Sequence, residues 1–130
     1  SSARARFHAA IALGKLEAAP SVKSLFALLA ENDDKDAFLR HAGVMGLVGA
    51  TKADKQPLLD ASQSDDSSIR LAAILALRRH DHPGIASFLQ DDDLYLVAEA
   101  ARAIHDDFSI PDALPALAEI LDRSFVPIAN

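Results

Sequence analysis

The run IRLAAILALRR, from Ile69 to Arg79, decides the fold. Within it, the 69–77 stretch is apolar almost all round, so a helix there is buried on both flanks, as in the middle of a stack. Its part RLAAILAL (Arg70 to Leu77) sets the register of a repeat. Three further stretches align with it without gaps: RFHAAIAL (Arg6 to Leu13), RHAGVMGL (Arg40 to Leu47) and VAEAARAI (Val97 to Ile104). Successive copies are offset by 34, 30 and 27 residues. The fourth position is always small (Ala9, Gly43, Ala73, Ala100), and so is the seventh (Ala12, Gly46, Ala76, Ala103). The eighth is a large aliphatic: Leu13, Leu47, Leu77 and Ile104. Small residues three apart share one helical face. A stripe without bulk lets a second backbone approach closely, and the aliphatic beside it fills the adjoining space.

Between the copies lie second helices. One opens at Pro20 and carries Leu25, Phe26, Leu28 and Leu29. A shorter one runs from about Asp54 through Leu58 and Leu59, a third starts near Pro83 with Ile85, Phe88 and Leu89, and a fourth begins near Pro111 with Leu114, Leu117, Ile120 and Leu121. Proline suits the first helical turn, where its missing N–H costs nothing. Each unit therefore reads as helix, turn, helix. A four-helix bundle would need a few long helices, whereas this chain offers about eight short ones at a repeating period. The expected fold is an all-α, right-handed solenoid of about four helix pairs over residues 1–130, a single domain.

Composition agrees. Alanine and leucine, both strong helix formers, make up about a third of the chain. Half of the 130 residues are hydrophobic, and aromatics are only 5%, with no Trp. The net charge of −6 gives no general electrostatic footprint for nucleic acid or an anionic membrane. No apolar run approaches the ~18 residues of a membrane-spanning helix. Cysteine is absent, which excludes disulfides, thiolate catalysis and Cys-based metal sites within these residues. No nucleophile with a partner base, phosphate loop or cofactor motif is visible, so neither a cofactor nor a small-molecule substrate is expected.

Acidic clusters precede three of the first helices: Asp33-Asp34, Asp65-Asp66 and Asp91-Asp92-Asp93. Aspartate there caps free N–H groups and favours the positive helix end. Arg6, Arg40 and Arg70 hold one repeat position, and they read as a structural ladder reaching acidic turns that include Asp33 and Asp65. The rigid guanidinium fork can join two turns where lysine satisfies one. The alternative for these arginines is an anion site. His80-Asp81-His82 looks like a metal string, but two ligands in a turn fall short of the three or four a stable site needs. His8 and His41 are expected to be partly buried, and Glu99 to point outward.

Helix pairs of about 30 residues with an Asp-rich turn, an aliphatic-Arg pair (Leu39-Arg40, Ile69-Arg70) and an AAxAL-type run resemble HEAT-like repeats over essentially the whole chain. The runs RFHAAIALGKL (Arg6 to Leu16), FLRHAGVM (Phe38 to Met45), IRLAAILALRR and VAEAARAIHD (Val97 to Asp106) are also similar to the HEAT-like segment of large exported bacterial proteins. Those proteins join a sugar-dehydrogenase-like propeller, HEAT-like repeats and a c-type haem domain. The resemblance implies an exported, periplasmic location and a connector between redox modules of an oxidoreductase. With no CxxCH here, no redox residue carries over, and Val97 departs from the Arg position.

Second helices usually line the concave side in this class, so the resemblance implies an interface at Lys23, Lys55, Ser87 and Glu119 toward protein partners or neighbouring domains. Some HEAT-like proteins are enzymes, such as bilin lyases and DNA glycosylases. The latter need a basic groove with aromatics, against which a net charge of −6 and the lack of Trp argue, and a small-molecule or metal groove is the remaining alternative. Phe7, Ile11 and Leu16 at one end, and Phe125, Val126, Pro127 and Ile128 at the other, read as apolar faces that meet neighbouring repeats in a longer chain.

Overall fold

The structure, a computed structural model, describes residues 2–106 and 109–124, the last four as backbone alone. The predicted tail Phe125 to Ile128 lies outside the described residues. The regular structure of the described chain is all helical: α1 (Ala3–Lys15), α2 (Val22–Asn32), α3 (Ala37–Ala50), α4 (Gln56–Asp60), α5 (Ser67–Arg79), α6 (Leu94–His105) and α7 (Leu114–Ser124). Short 3-10 segments at Ala19–Ser21, Ala61–Gln63, Pro83–Gln90 and Pro111–Ala113 complete it.

The four aligned stretches fall inside α1, α3, α5 and α6, each in the same register from its N-cap. Ser2, Asp36, Asp66 and Asp93 are those caps, and each side chain accepts backbone N–H bonds from the first turn. The cap of α3 is thus Asp36 and not the Asp33-Asp34 pair. Those two residues instead form a left-handed turn after α2. Buried Asn32 fixes that turn, donating to the Asp36 carbonyl at 3.0 Å and accepting from its N–H at 3.2 Å.

The proline-opened segments differ in kind. Pro20 starts a 3-10 turn leading into α2, Pro57 lies in the first turn of α4, and Pro115 is second in α7. The third segment stays 3-10 over Pro83–Gln90, where a second α-helix is expected. It buries only Ile85, Phe88 and Leu89. The three-residue step from Ile85 to Phe88 matches a 3-10 period, so one apolar edge suffices to hold it.

The first helices pack in chain order, α1 on α3, α3 on α5 and α5 on α6, with α2 against both α3 and α5. One contiguous core runs through them, from Ala10 and Leu25 through Leu47 and Ile74 to Ile104 and Ala113. Six of the eight predicted small positions are buried: Gly43, Gly46, Ala73, Ala76, Ala100 and Ala103. A Cβ on Gly43 would stand 2.8 Å from Leu29, and one on Gly46 would stand 2.8 Å from both the Ala10 carbonyl and Leu25. These positions therefore face the preceding helix pair.

Ala9 and Ala12 are the exceptions, being exposed. In α1 the side that would meet an earlier pair is open to solvent. Contact with α3 is made by the neighbouring face, through Ala10 and Gly14. Leu16 is exposed as well, while Phe7 and Ile11 pack partly against the core.

The α1–α3 contact is set by glycine. A Cβ on Gly49 would fall 1.9 Å from the Gly14 carbonyl oxygen, and one on Gly14 would fall 2.6 Å from the Met45 carbonyl oxygen. Both obstacles are backbone, so neither can swing aside. Gly49→Ala should therefore destabilise the fold by roughly 2–3 kcal/mol, toward the upper end for overpacking. Ala9→Val, on the open side of α1, should stay within about 0.5 kcal/mol. Denaturant titration of the two variants checks this, and equal effects would refute the tight seam.

Candidate functional site

Two surfaces carry the residues singled out by sequence. The first is the edge where the first helices begin. Arg6 bonds Glu31 at 2.9 Å and Arg40 bonds Asp34 at 2.6 Å, both on partly exposed pairs. Arg70 is different. Its Nε donates to Asp91 at 2.8 Å while its Nη1 donates to the Ser64 carbonyl at 2.9 Å. It thus joins the turn before α5 to the turn before α6. The Arg70 and Asp91 side chains are only 16% and 6% exposed, so this pair is shielded from solvent.

The carboxylates that meet the arginines are therefore Glu31, Asp34 and Asp91, in place of the expected Asp33 and Asp65. Asp33 instead accepts from the buried Ser68 hydroxyl at 3.2 Å, tying the end of α2 to the start of α5. Asp65 is exposed and makes no ion pair among the described residues. At Val97, where arginine is missing, the local pair is Arg102 with Glu99, one turn apart on α6. Glu99 is half-buried and engaged there.

The histidine string forms a turn with a structural contact. His80 is the C-cap of α5 and Asp81 follows in a left-handed conformation. His82 Nδ1 accepts from the Gly84 N–H at 2.9 Å and so caps the next segment. His80 reaches across to fully buried Thr51, the C-cap of α3, at 3.1 Å. The Thr51 hydroxyl gives its single proton to the Leu47 carbonyl at 2.6 Å, so His80 Nε2 must be the donor between them. Burial, the positive charge of Lys55 and neighbouring His82 push the His80 pKa below its ordinary 6.5, against a backbone hydrogen bond to Val48 that pulls it up. His8 and His41 are exposed, contrary to the expected partial burial.

The second surface belongs to the second helices. Lys23, Ser87 and Glu119 are exposed there. Lys55 is half-buried, with its ammonium donating to the Lys52 carbonyl at 2.6 Å, which makes it a loop staple. Ser87 donates to the Gly84 carbonyl at 3.0 Å. Beside Lys23 opens an apolar groove of 520 Å³ formed by Pro20, Val22 and Phe26 from the α2 side, Pro57 from α4 and Ile69 from α5. Its charged members are Lys23 and Asp60. Of the four predicted interface residues only Lys23 lines this groove. Phe38 and Leu94 are each 79% exposed, and Phe38 shares with Tyr95 the second position after a capping aspartate.

Compared with protein-family models, curated protein sequences and solved structures, the chain has no match. Among the described residues no helix is long and apolar enough to cross a membrane. No group of three or more potential metal ligands converges among them either.

Arg70→Ala should cost about 2–3 kcal/mol, because it leaves Asp91 charged and shielded without its partner. Arg6→Ala, at an exposed pair, should cost about 1 kcal/mol or less. Chemical denaturation of both variants decides it, and equal losses would mean that burial of the Arg70 pair does not matter.

Stability should also depend on His80. Its pKa is lowered in the fold, so the unfolded chain binds the proton more readily. The contribution is complete above pH 6.5 and declines as pH falls from there toward the folded-state value. His80→Gln should shrink the difference in denaturation midpoint between about pH 7.5 and about pH 5.5, and an undiminished difference would assign it to other groups.

Proposed function

We propose that this chain is a HEAT-like α-solenoid segment acting as a non-catalytic scaffold, presenting its second helices to a protein partner or to neighbouring domains of a longer chain. The observation that carries this reading is the apolar groove bounded by Pro20, Val22, Phe26, Pro57 and Ile69. It joins side chains from three successive helix pairs, so it exists only when the pairs stack. Grooves of this make-up take side chains from a partner, with the flanking charges setting orientation.

The packing of α1, α3, α5 and α6 in chain order supports the solenoid, because each repeat contacts chiefly its neighbours. The polar side chains support a structural role. Asp36, Asp66 and Asp93 cap helices, and Arg70 and Asp91 join turns. Among the described residues no buried side-chain nitrogen or oxygen lacks a hydrogen-bond partner. On this reading the chemistry resides in the modules the scaffold connects. Similarity to the HEAT-like segment of exported propeller–haem proteins makes redox modules the first neighbours to test.

Photo-crosslinking residues placed at Lys23 and Ser87 in the cell should give discrete adducts with one protein or flanking domain. The same probe at Ala9 serves as the comparison. Adducts from neither second-helix position, or from Ala9 only, would displace this reading.

A further inference from the structure

A second groove, of 520 Å³, lies between first helices and has the opposite character. Arg40, His41 and Val44 enter it from α3, and Leu75, Arg78 and Arg79 from α5. Asp81 and Asp106 also line it, leaving three guanidinium groups against two carboxylates. In a chain of net charge −6 the lining thus carries one net positive charge, and Arg79 is its cation without an ion pair among the described residues.

The arginines have donors to spare. A guanidinium carries five N–H groups in a fixed fork. Arg40 uses Nη1 on Asp34, and Arg78 uses Nη2 on Asp106 at 3.1 Å. Arg79 is exposed and makes no ion pair or hydrogen bond within the described structure. Positive charge in the last turn of α5 is favourable to that helix, but this accounts for Arg78 and Arg79 only and not for their meeting with Arg40.

We infer that this groove binds an acidic peptide segment of a partner protein. A carboxylate of the segment pairs with Arg79 and the free edges of Arg40 and Arg78. An adjoining aliphatic side chain lies on Val44 and Leu75. The groove's own chemistry selects this occupant. Bidentate guanidinium–carboxylate pairing supplies orientation as well as attraction. Asp81 and Asp106 oppose a dense polyanion such as a nucleic acid, while single carboxylates can be placed between them. The inference concerns a face built from first helices and goes beyond the second-helix surface proposed above. Crosslinks at Lys23 with no binding here, or the reverse, would separate the two.

The test is an NMR titration of the chain with an amidated peptide of alternating glutamate and leucine. The control peptide carries glutamine in place of glutamate. The acidic peptide should shift amides of Arg40, His41, Val44, Arg78 and Arg79, and the control should not. Arg79→Glu should weaken binding about tenfold or more, and His41→Asp should weaken it by less. Raising salt from about 50 to about 300 mM should weaken the wild type further. Unchanged thermal unfolding of Arg79→Glu would show that the loss is local. If its fold suffers, His41→Asp and the glutamine peptide still decide the matter. Equal binding of both peptides, shifts located elsewhere, or preferential binding of inorganic phosphate or single-stranded RNA would overturn the inference.

Discussion

The contact between α1 and α3 is closer than any side chain permits. With Gly14 facing Gly49 and Ala10 facing Gly46, backbone meets backbone, and a single added Cβ would strike a carbonyl oxygen. Dispersion between atoms at this range, summed along two helical turns, favours the contact without a large apolar side chain. That closeness has structural consequences. It brings α2 near enough for Leu25 and Leu29 to lie over Gly46 and Gly43, which closes the first part of the core. Farther along, Ala73, Ala76, Ala100 and Ala103 occupy the equivalent positions, each with a Cβ, and the core there gains Ile74, Leu77, Phe88 and Ile104. Small residues set the spacing, and the aliphatics beside them fill what the spacing leaves.

Charge has a separate task. The ladder of arginines is uneven because burial is uneven. Arg6 and Arg40 sit with partly exposed acids, where water and salt weaken the attraction. Arg70 sits at the middle of the array, between the turns that start α5 and α6, and is shielded by both. Its second bond, to the Ser64 carbonyl, satisfies a backbone group in the same turn. The His80–Thr51 contact makes the matching join at the opposite ends of α3 and α5. α5 and α6 are thus tied at both ends, by Arg70–Asp91 and by Arg78–Asp106, and α3 and α5 at their C-terminal ends by His80–Thr51, with small-residue packing along their length.

Much of this was legible as periodicity. Residues three and four apart on a helix face one another, so the stripe at Gly43/Gly46, Ala73/Ala76 and Ala100/Ala103 could be read directly. The same reading misassigned Ala9 and Ala12, because a repeat position is buried only where an earlier pair covers it. Cap identity slipped for a local reason. Asp33 and Asp34 adopt left-handed backbone, and the helix begins only after Asp36. The Pro83–Gln90 segment looked like a helix since its apolar residues fit either period over so short a span. Grooves were out of reach. Arg40 and Arg79 come together through the packing of two helices, as do Phe26 and Ile69, and no linear spacing encodes that.

The distribution of glycine supports packing as the governing constraint. None of the described glycines has a positive φ, although four non-glycine residues among those described do: Glu17, Asp33, Asp34 and Asp81. A left-handed residue with a Cβ costs about 1–2 kcal/mol, and glycine would remove that cost. Yet glycine appears at Gly14, Gly43, Gly46 and Gly49, within helices, where it lowers intrinsic helix stability by about 1 kcal/mol per residue. Both placements oppose local preference. The left-handed turns tolerate it because their hydrogen bonds are made. After α1, Ala18 donates to the Leu13 carbonyl at 3.1 Å, and after α5, His82 donates to the Leu77 carbonyl at 3.1 Å. Gly14, Gly46 and Gly49 tolerate it because an added Cβ would strike the backbone of the facing helix, and Gly43 because one would strike the Leu29 side chain. At these positions the packing of one helix on the next prevails over local backbone preference.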